Sequence, residues 1–207
     1  MKKILLLLLF SISFAFSQES INYQTPSSEI LELVEYDRPP SVTYDRDKNF
    51  MLFLYRDNYK SIEDLSQKEL RLAGLRINPK KNIGSRITYY NNVKIKNLKS
   101  KNPEINDIIG IPNNPLIANI NWSPNQKNIA FTNTSSDGVR LWVLNLESRS
   151  LTKLSDLKLN SNIGDVINWV NDNEIIVKVI PENKQNLIDQ DGICLLYTSD
   201  AADDLWC

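Results

Sequence analysis

The 207-residue sequence contains no histidine. That removes the usual general base of serine catalysis and the commonest nitrogen ligand of zinc. Glycine is scarce: Gly74, Gly84, Gly110, Gly138, Gly164 and Gly192 are the six, and no two stand four positions apart. Neither a GxSxG nucleophile elbow nor a glycine-rich phosphate loop can therefore be written. The two cysteines, Cys194 and Cys207, lie in the last 14 residues, leaving the body of the chain without disulfides or thiolate ligands. No charge sign dominates, with 24 Lys and Arg against 25 Asp and Glu. A nucleic-acid footprint is not expected from that balance. The one dense basic run, residues 94–101, alternates with Ile95 and meets the turn pair Asn102-Pro103, as a solvated hairpin face does.

What the sequence does have is a strand grammar. Residues 117–122, 128–132 and 139–146 are short runs rich in β-branched, aliphatic and aromatic side chains. Pro124 and Asn125 form a turn between the first two, and Asp137-Gly138 supplies a hairpin reversal between the second and third. The last two runs are apolar at nearly every position, so both faces of their sheet should be covered, as when blades stack in a propeller. The pattern recurs. Trp169 follows Trp122 by 47 residues, and residues 168–180 repeat the order of Trp, polar turn and apolar strand. Upstream, residues 41–55 have the same shape, with 45–49 as turn and 50–55 as second strand. Three copies at blade-like spacing predict an all-β, incomplete β-propeller of about two to three antiparallel blades.

Residues 25–35 predict a short helix, with Thr25 as N-cap, Pro26 in the first helical position, and Ile30, Leu31 and Val34 on one face. Arg38-Pro39-Pro40 ends it. Residues 61–78 form an insertion in the first blade. Ser61 and Asp64 have capping-box spacing for one helical turn, and residues 70–77 run extended towards the turn at Asn78-Pro79. At the amino terminus, Lys2 and Lys3 precede a 13-residue apolar run, residues 4–16, and Ala15 and Ser17 form a small-x-small site. This reads as a secretory signal, residues 1–17, too short to span a bilayer at about 20 residues. The mature chain, with residues 18–193 as its propeller domain, is expected to be exported, periplasmic or extracellular, and free of the membrane.

The pairing of residues 29–35, Pro39-Pro40 and residues 48–56 with residues 63–78, followed by Trp122-Ser123-Pro124, resembles the start of the glutamyl-endopeptidase-like branch of the prolyl-oligopeptidase family. Residues 69–78 are the most discriminating piece. The resemblance implies a propeller ahead of an α/β-hydrolase domain, a Ser-Asp-His triad in the latter, and endopeptidase action on peptide substrates. This chain departs from it by lacking the elbow and any histidine. Ser123 and Ser136 sit in turns with no base to activate them. The blade grammar stops near residue 193, and residues 194–207 resemble the translated read-through of a sequencing adapter, so the hydrolase domain is read as absent.

Residues 45–49, Asp-Arg-Asp-Lys-Asn, open like a calcium loop, but Phe50 and Arg56 occupy positions six and twelve of that template. They read as a blade turn. No catalytic, cofactor-binding or metal-binding residue is assigned, and no cofactor is expected. Two functional readings follow. One is the amino-terminal propeller of an exported serine endopeptidase, gating peptide access to the missing hydrolase. The other is a stand-alone periplasmic propeller that binds a protein or glycan. If the third sheet stops near Ile180, one face of it and one face of the first should lack cover, exposing Phe50, Leu52, Trp169, Ile175, Val177 and Val179 in an open fan.

Expressed in a bacterium with its own leader, the chain should lose residues 1–17. Mass spectrometry of the soluble envelope fraction checks this, and an intact Met1 there would refute it.

Overall fold

In the computed structural model, residues 24–183 are described. The expected leader, residues 1–17, and the expected tail, residues 194–207, lie outside them. The chain divides into two units, Met1–Asp37 and Arg38–Cys207.

In the first unit, helix α1 (Ser28–Val34) starts later than expected. Ser27 is the N-cap, in an extended conformation, and its carbonyl accepts from the amides of Ile30 and Leu31 at 3.0 Å each. Ser27 is itself a favoured cap residue with Glu29 in the first turn, so Thr25 and Pro26 are left before the helix. None of its residues is buried.

The second unit is built of antiparallel sheets. Strands β1 (Ser41–Tyr44) and β2 (Phe50–Tyr55) form a hairpin. The insertion follows, with α2 (Ile62–Leu65), β3 (Leu70–Leu72), β4 (Leu75–Asn78) and β5 (Ile83–Gly84). Then β6 (Asn92–Asn97) and β7 (Ile105–Asp107) complete a four-stranded sheet in the order β1-β2-β6-β7. Strands β8 (Ile117–Trp122), β9 (Asn128–Ser135), β10 (Gly138–Asn145) and β11 (Ser150–Lys153) make a second four-stranded meander in chain order. Strands β12 (Ile167–Trp169) and β13 (Ile175–Val177) pair as a third, two-stranded sheet. This is the all-β, incomplete propeller-like architecture expected, with its sheets not closed into a ring. Among the described residues no helix is long and apolar enough to cross a membrane.

The insertion differs from its expected form. The extended run expected over residues 70–77 is instead a hairpin of β3 and β4, reversing at Ala73 and Gly74 with φ of +45° and +84°. Ahead of it, the expected cap of α2 is present: Ser61 Oγ accepts from the Asp64 amide at 3.0 Å.

The first two blade turns share one hydrogen-bond scheme. Asp45 and Ser123 each donate a backbone amide to the carbonyl five residues on, from Asp45 to Phe50 (3.3 Å) and from Ser123 to Asn128 (2.9 Å). Their side-chain oxygens accept the return amides, at 2.6 Å for Asp45 Oδ1 and 3.0 Å for Ser123 Oγ. Three residues into each turn, Lys48 and Gln126 take φ of +54° and +60° and donate back to the first carbonyl. The turns also touch one another. The Arg46 amide donates to Gln126 Oε1 at 3.0 Å, and the Asn125 amide to Asp172 Oδ1 at 2.8 Å.

Because side chains alternate along a strand, the second sheet has two apolar faces. Ile129, Phe131, Leu144 and Leu146 meet Leu52, Leu54, Val93 and Ile95 of the first sheet. Ala130, Val139 and Leu141 face the other way, against Ile83 of the insertion and Leu159, Val166 and Ile167. The expectation of two covered faces holds. The list of uncovered side chains does not: Leu52 is 1% exposed, and Phe50 packs on the seam. Trp169, Ile175 and Val177 pack against the second cluster. Exposed instead are Val42, Tyr44 and Ile105 on the first sheet and Ile176 on the third, with Val179, as expected, also exposed. Strand period fixes two sets of side chains, and the neighbouring sheet decides which set is buried.

Leu144→Ala, at the centre of the seam, should cost about 2–5 kcal/mol, whereas Ile105→Ala on the open face should cost less than about 0.5 kcal/mol. Urea unfolding of the two variants checks this, and equal midpoints would contradict the packing described.

Candidate functional site

A cleft of about 200 Å³ opens between the first two sheets, at the end that carries the blade turns. Its floor is apolar, formed by Phe50 at the start of β2, Ile95 of β6 and Leu146 just after β10. Its rim is polar, with Asn97, Ser100, Asn102, Glu104, Asn106, Glu147 and Arg149. Local turn chemistry places these groups. The Leu98 amide donates to the Asn49 carbonyl at 2.7 Å, and Asn97 Oδ1 accepts from the Lys99 amide at 2.9 Å, tying the start of the β6–β7 loop to the first blade turn. On the opposite wall Arg149 takes φ of +57°, and its Nη1 donates to Asn106 Oδ1 at 2.6 Å, tying the walls together. The carboxylates of Glu104 and Glu147 stand on the exposed rim. Amide, hydroxyl, carboxylate and guanidinium groups over an apolar floor can hold a polar side chain or a short peptide segment. Without histidine in the sequence, Ser100 has no imidazole to activate it.

The serines singled out in the sequence lie elsewhere. Ser123 is fully buried, and its hydroxyl donates to Asn125 Oδ1 at 2.8 Å while accepting from the Asn128 amide. Ser136 is exposed in the β9–β10 turn. Neither joins the cleft. The loop at residues 45–49 is a blade turn, as read. Nothing in the sequence pointed to the cleft, since its lining comes from three separated segments.

The insertion carries the densest charge cluster. Glu69 accepts from Arg76 Nη1 at 2.7 Å and Arg71 Nε at 3.3 Å, with Arg86 Nε at 3.8 Å. Its other oxygen accepts from the Ser85 hydroxyl. That hydroxyl, aided by Arg76 and Arg71 against the cost of desolvation, lowers the Glu69 carboxyl from 4.5 to about 2. One carboxylate among three arginines thus fastens the hairpin of β3 and β4 to the segment after β5.

No protein-family model matches the sequence. The chain is 30% identical over 177 residues to a protein of Oryza sativa subsp. japonica named probable glutamyl endopeptidase, chloroplastic. That alignment covers 80% of this chain and 19% of the relative. A protein of Arabidopsis thaliana with the same name is 30% identical over 173 residues, 78% of this chain and 18% of its own length. The chain is thus a distant homologue of proteins named as peptidases, and spans about a fifth of the length of the curated relatives it matches.

The lowered Glu69 carboxyl sets a pH dependence. Its contribution to stability is complete above its ordinary value of 4.5 and is lost as pH falls towards about 2. The protection factor of the Ser85 amide, which bonds to the Arg76 carbonyl, should fall over that window relative to pH 5 once the intrinsic pH dependence of exchange is divided out. Glu69→Gln should remove this pH-dependent step, and an unchanged step in the variant would assign it to another group.

Proposed function

We propose that this chain is the amino-terminal propeller portion of an exported serine endopeptidase of the prolyl-oligopeptidase family, in its glutamyl-endopeptidase-like branch. The observation that carries the proposal is the alignment of about four-fifths of the chain with two proteins named glutamyl endopeptidase. The aligned portion here is an array of blades. In this reading the chain contributes access control. Stacked sheets form a wall beside a hydrolase domain encoded further along the gene, and they admit flexible peptides while excluding folded proteins. The peptide substrates are cut by the serine, aspartate and histidine of that domain, none of which this chain supplies as a triad. The cleft between the first two sheets would offer a polar resting place for a peptide on its way. Export rests on the leader-like residues 1–17.

The test is chemical. The product of the complete gene, read past Ile193, should react with a fluorophosphonate at one serine within a GxSxG elbow. The 207-residue chain should not react, because its sequence has no histidine to serve as the general base. Stoichiometric labelling of the 207-residue chain would overturn the proposal. A complete gene without an elbow would do so too, and would leave a stand-alone binding propeller.

A further inference from the structure

The first blade turn has a defect that the second repairs with a hydrogen bond. The two turns match residue for residue in their backbone bonds, which aligns Asp45 with Ser123 and Asp47 with Asn125. In the second turn these positions are joined, since Ser123 Oγ donates to Asn125 Oδ1 at 2.8 Å. In the first turn both positions are carboxylates. A carboxylate offers acceptors and no hydroxyl donor, so the side-chain bond that closes the second turn has no counterpart in the first.

Asp45 is 3% exposed, and only its Oδ1 is engaged, by the Phe50 amide. Its Oδ2 is buried without a hydrogen-bond partner, and so is Oδ1 of Asn49 at the end of the same turn. Among the described residues no Lys or Arg forms an ion pair with Asp45, although Arg46 and Lys48 flank it in sequence. Leaving a buried carboxylate oxygen unsatisfied is costly, and such an atom in a folded protein points to a missing partner. Two buried acceptors and a neighbouring carboxylate call for a positive partner that takes only oxygen ligands.

From this we infer that the turn at residues 45–49 binds a divalent cation, calcium by ligand type, through Asp45 Oδ2, the Asp47 carboxylate and Asn49 Oδ1, with water completing the shell. The set is all oxygen, as hard cations require. It is not an EF-hand, since nothing at Phe50 or Arg56 takes part. Two carboxylates and one amide oxygen place the dissociation constant in the weak range, on the order of 10⁻⁴–10⁻³ M.

The experiment uses the full chain with calcium chloride alone. At ~10 mM calcium the thermal midpoint should rise by about 3–11 °C over that in EDTA, and magnesium at the same concentration should raise it less. Terbium luminescence, sensitised by the adjacent Tyr44, should appear and be displaced by calcium. Asp47→Asn alters one exposed side chain and should abolish both responses. The double variant D45S/D47N installs the hydroxyl–amide pair of the second turn; it should keep the wild-type circular dichroism in EDTA and gain nothing from calcium. The inference is overturned if the wild-type midpoint is the same in calcium and EDTA and terbium gives no signal, or if D45S/D47N responds as the wild type does. The fluorophosphonate outcome above bears on none of these readings.

Discussion

Everything in the second unit depends on the contact between its two four-stranded sheets. Leu52, Leu54, Val93 and Ile95 on one side and Ile129, Phe131, Leu144 and Leu146 on the other are all but removed from water. Each large aliphatic or aromatic side chain buried there contributes roughly 1.5–3 kcal/mol. The seam also dictates what lies beyond it. A strand that commits alternate residues to one face must direct the rest to the other, so packing Phe131 and Leu144 against the first sheet turns Ala130, Val139 and Leu141 outward. They need a second cover, which the third sheet and the insertion supply between them.

Polar chemistry then fixes details that apolar packing leaves free. Turn-to-turn bonds from Arg46 to Gln126 and from Asn125 to Asp172 hold corresponding parts of successive blades in line. The indole of Trp169 donates to the Asn121 carbonyl at 3.2 Å, while Asn121 Nδ2 donates to the Ile167 carbonyl at 3.0 Å. Trp169, at the end of its blade's first strand, therefore packs and donates at once. In the insertion, where there is little apolar surface to bury, Glu69 and its arginines take over the fastening.

How much of this was legible in the sequence depends on how local the signal is. Trp122-Ser123-Pro124 and Asp137-Gly138 announce their turns through residues with strong backbone preferences, and the strands around them followed. The 47-residue recurrence of Trp gave the third sheet. Strands β7 and β11 were not read, being three and four residues long and largely polar. The β3–β4 hairpin was missed because its reversal uses Ala73 at positive φ, where Asn or Asp would ordinarily mark the turn. The seven-residue α1 begins two residues later than expected because Thr25 and Ser27 are both good caps and local sequence does not choose between them. Burial of Phe50 and Leu52, and the cleft itself, were beyond any local reading. Both depend on how separated segments meet.

The insertion has a further consequence for how the chain reaches its folded state. Ile83 belongs to the first blade by sequence, yet it forms a bridge with Ser161, 78 residues later, and packs on the far side of the second sheet. Leu159 in the same late segment bridges both Val139 and Val179. A simple repeat array folds blade by blade, each unit settling on its neighbour, with stability close to a sum of nearest-neighbour contributions. Here the bridge between Ile83 and Ser161 can form only after the residues entering the third blade have been made. Contacts of such long sequence separation couple the blades beyond nearest neighbours and are of the kind that slows folding.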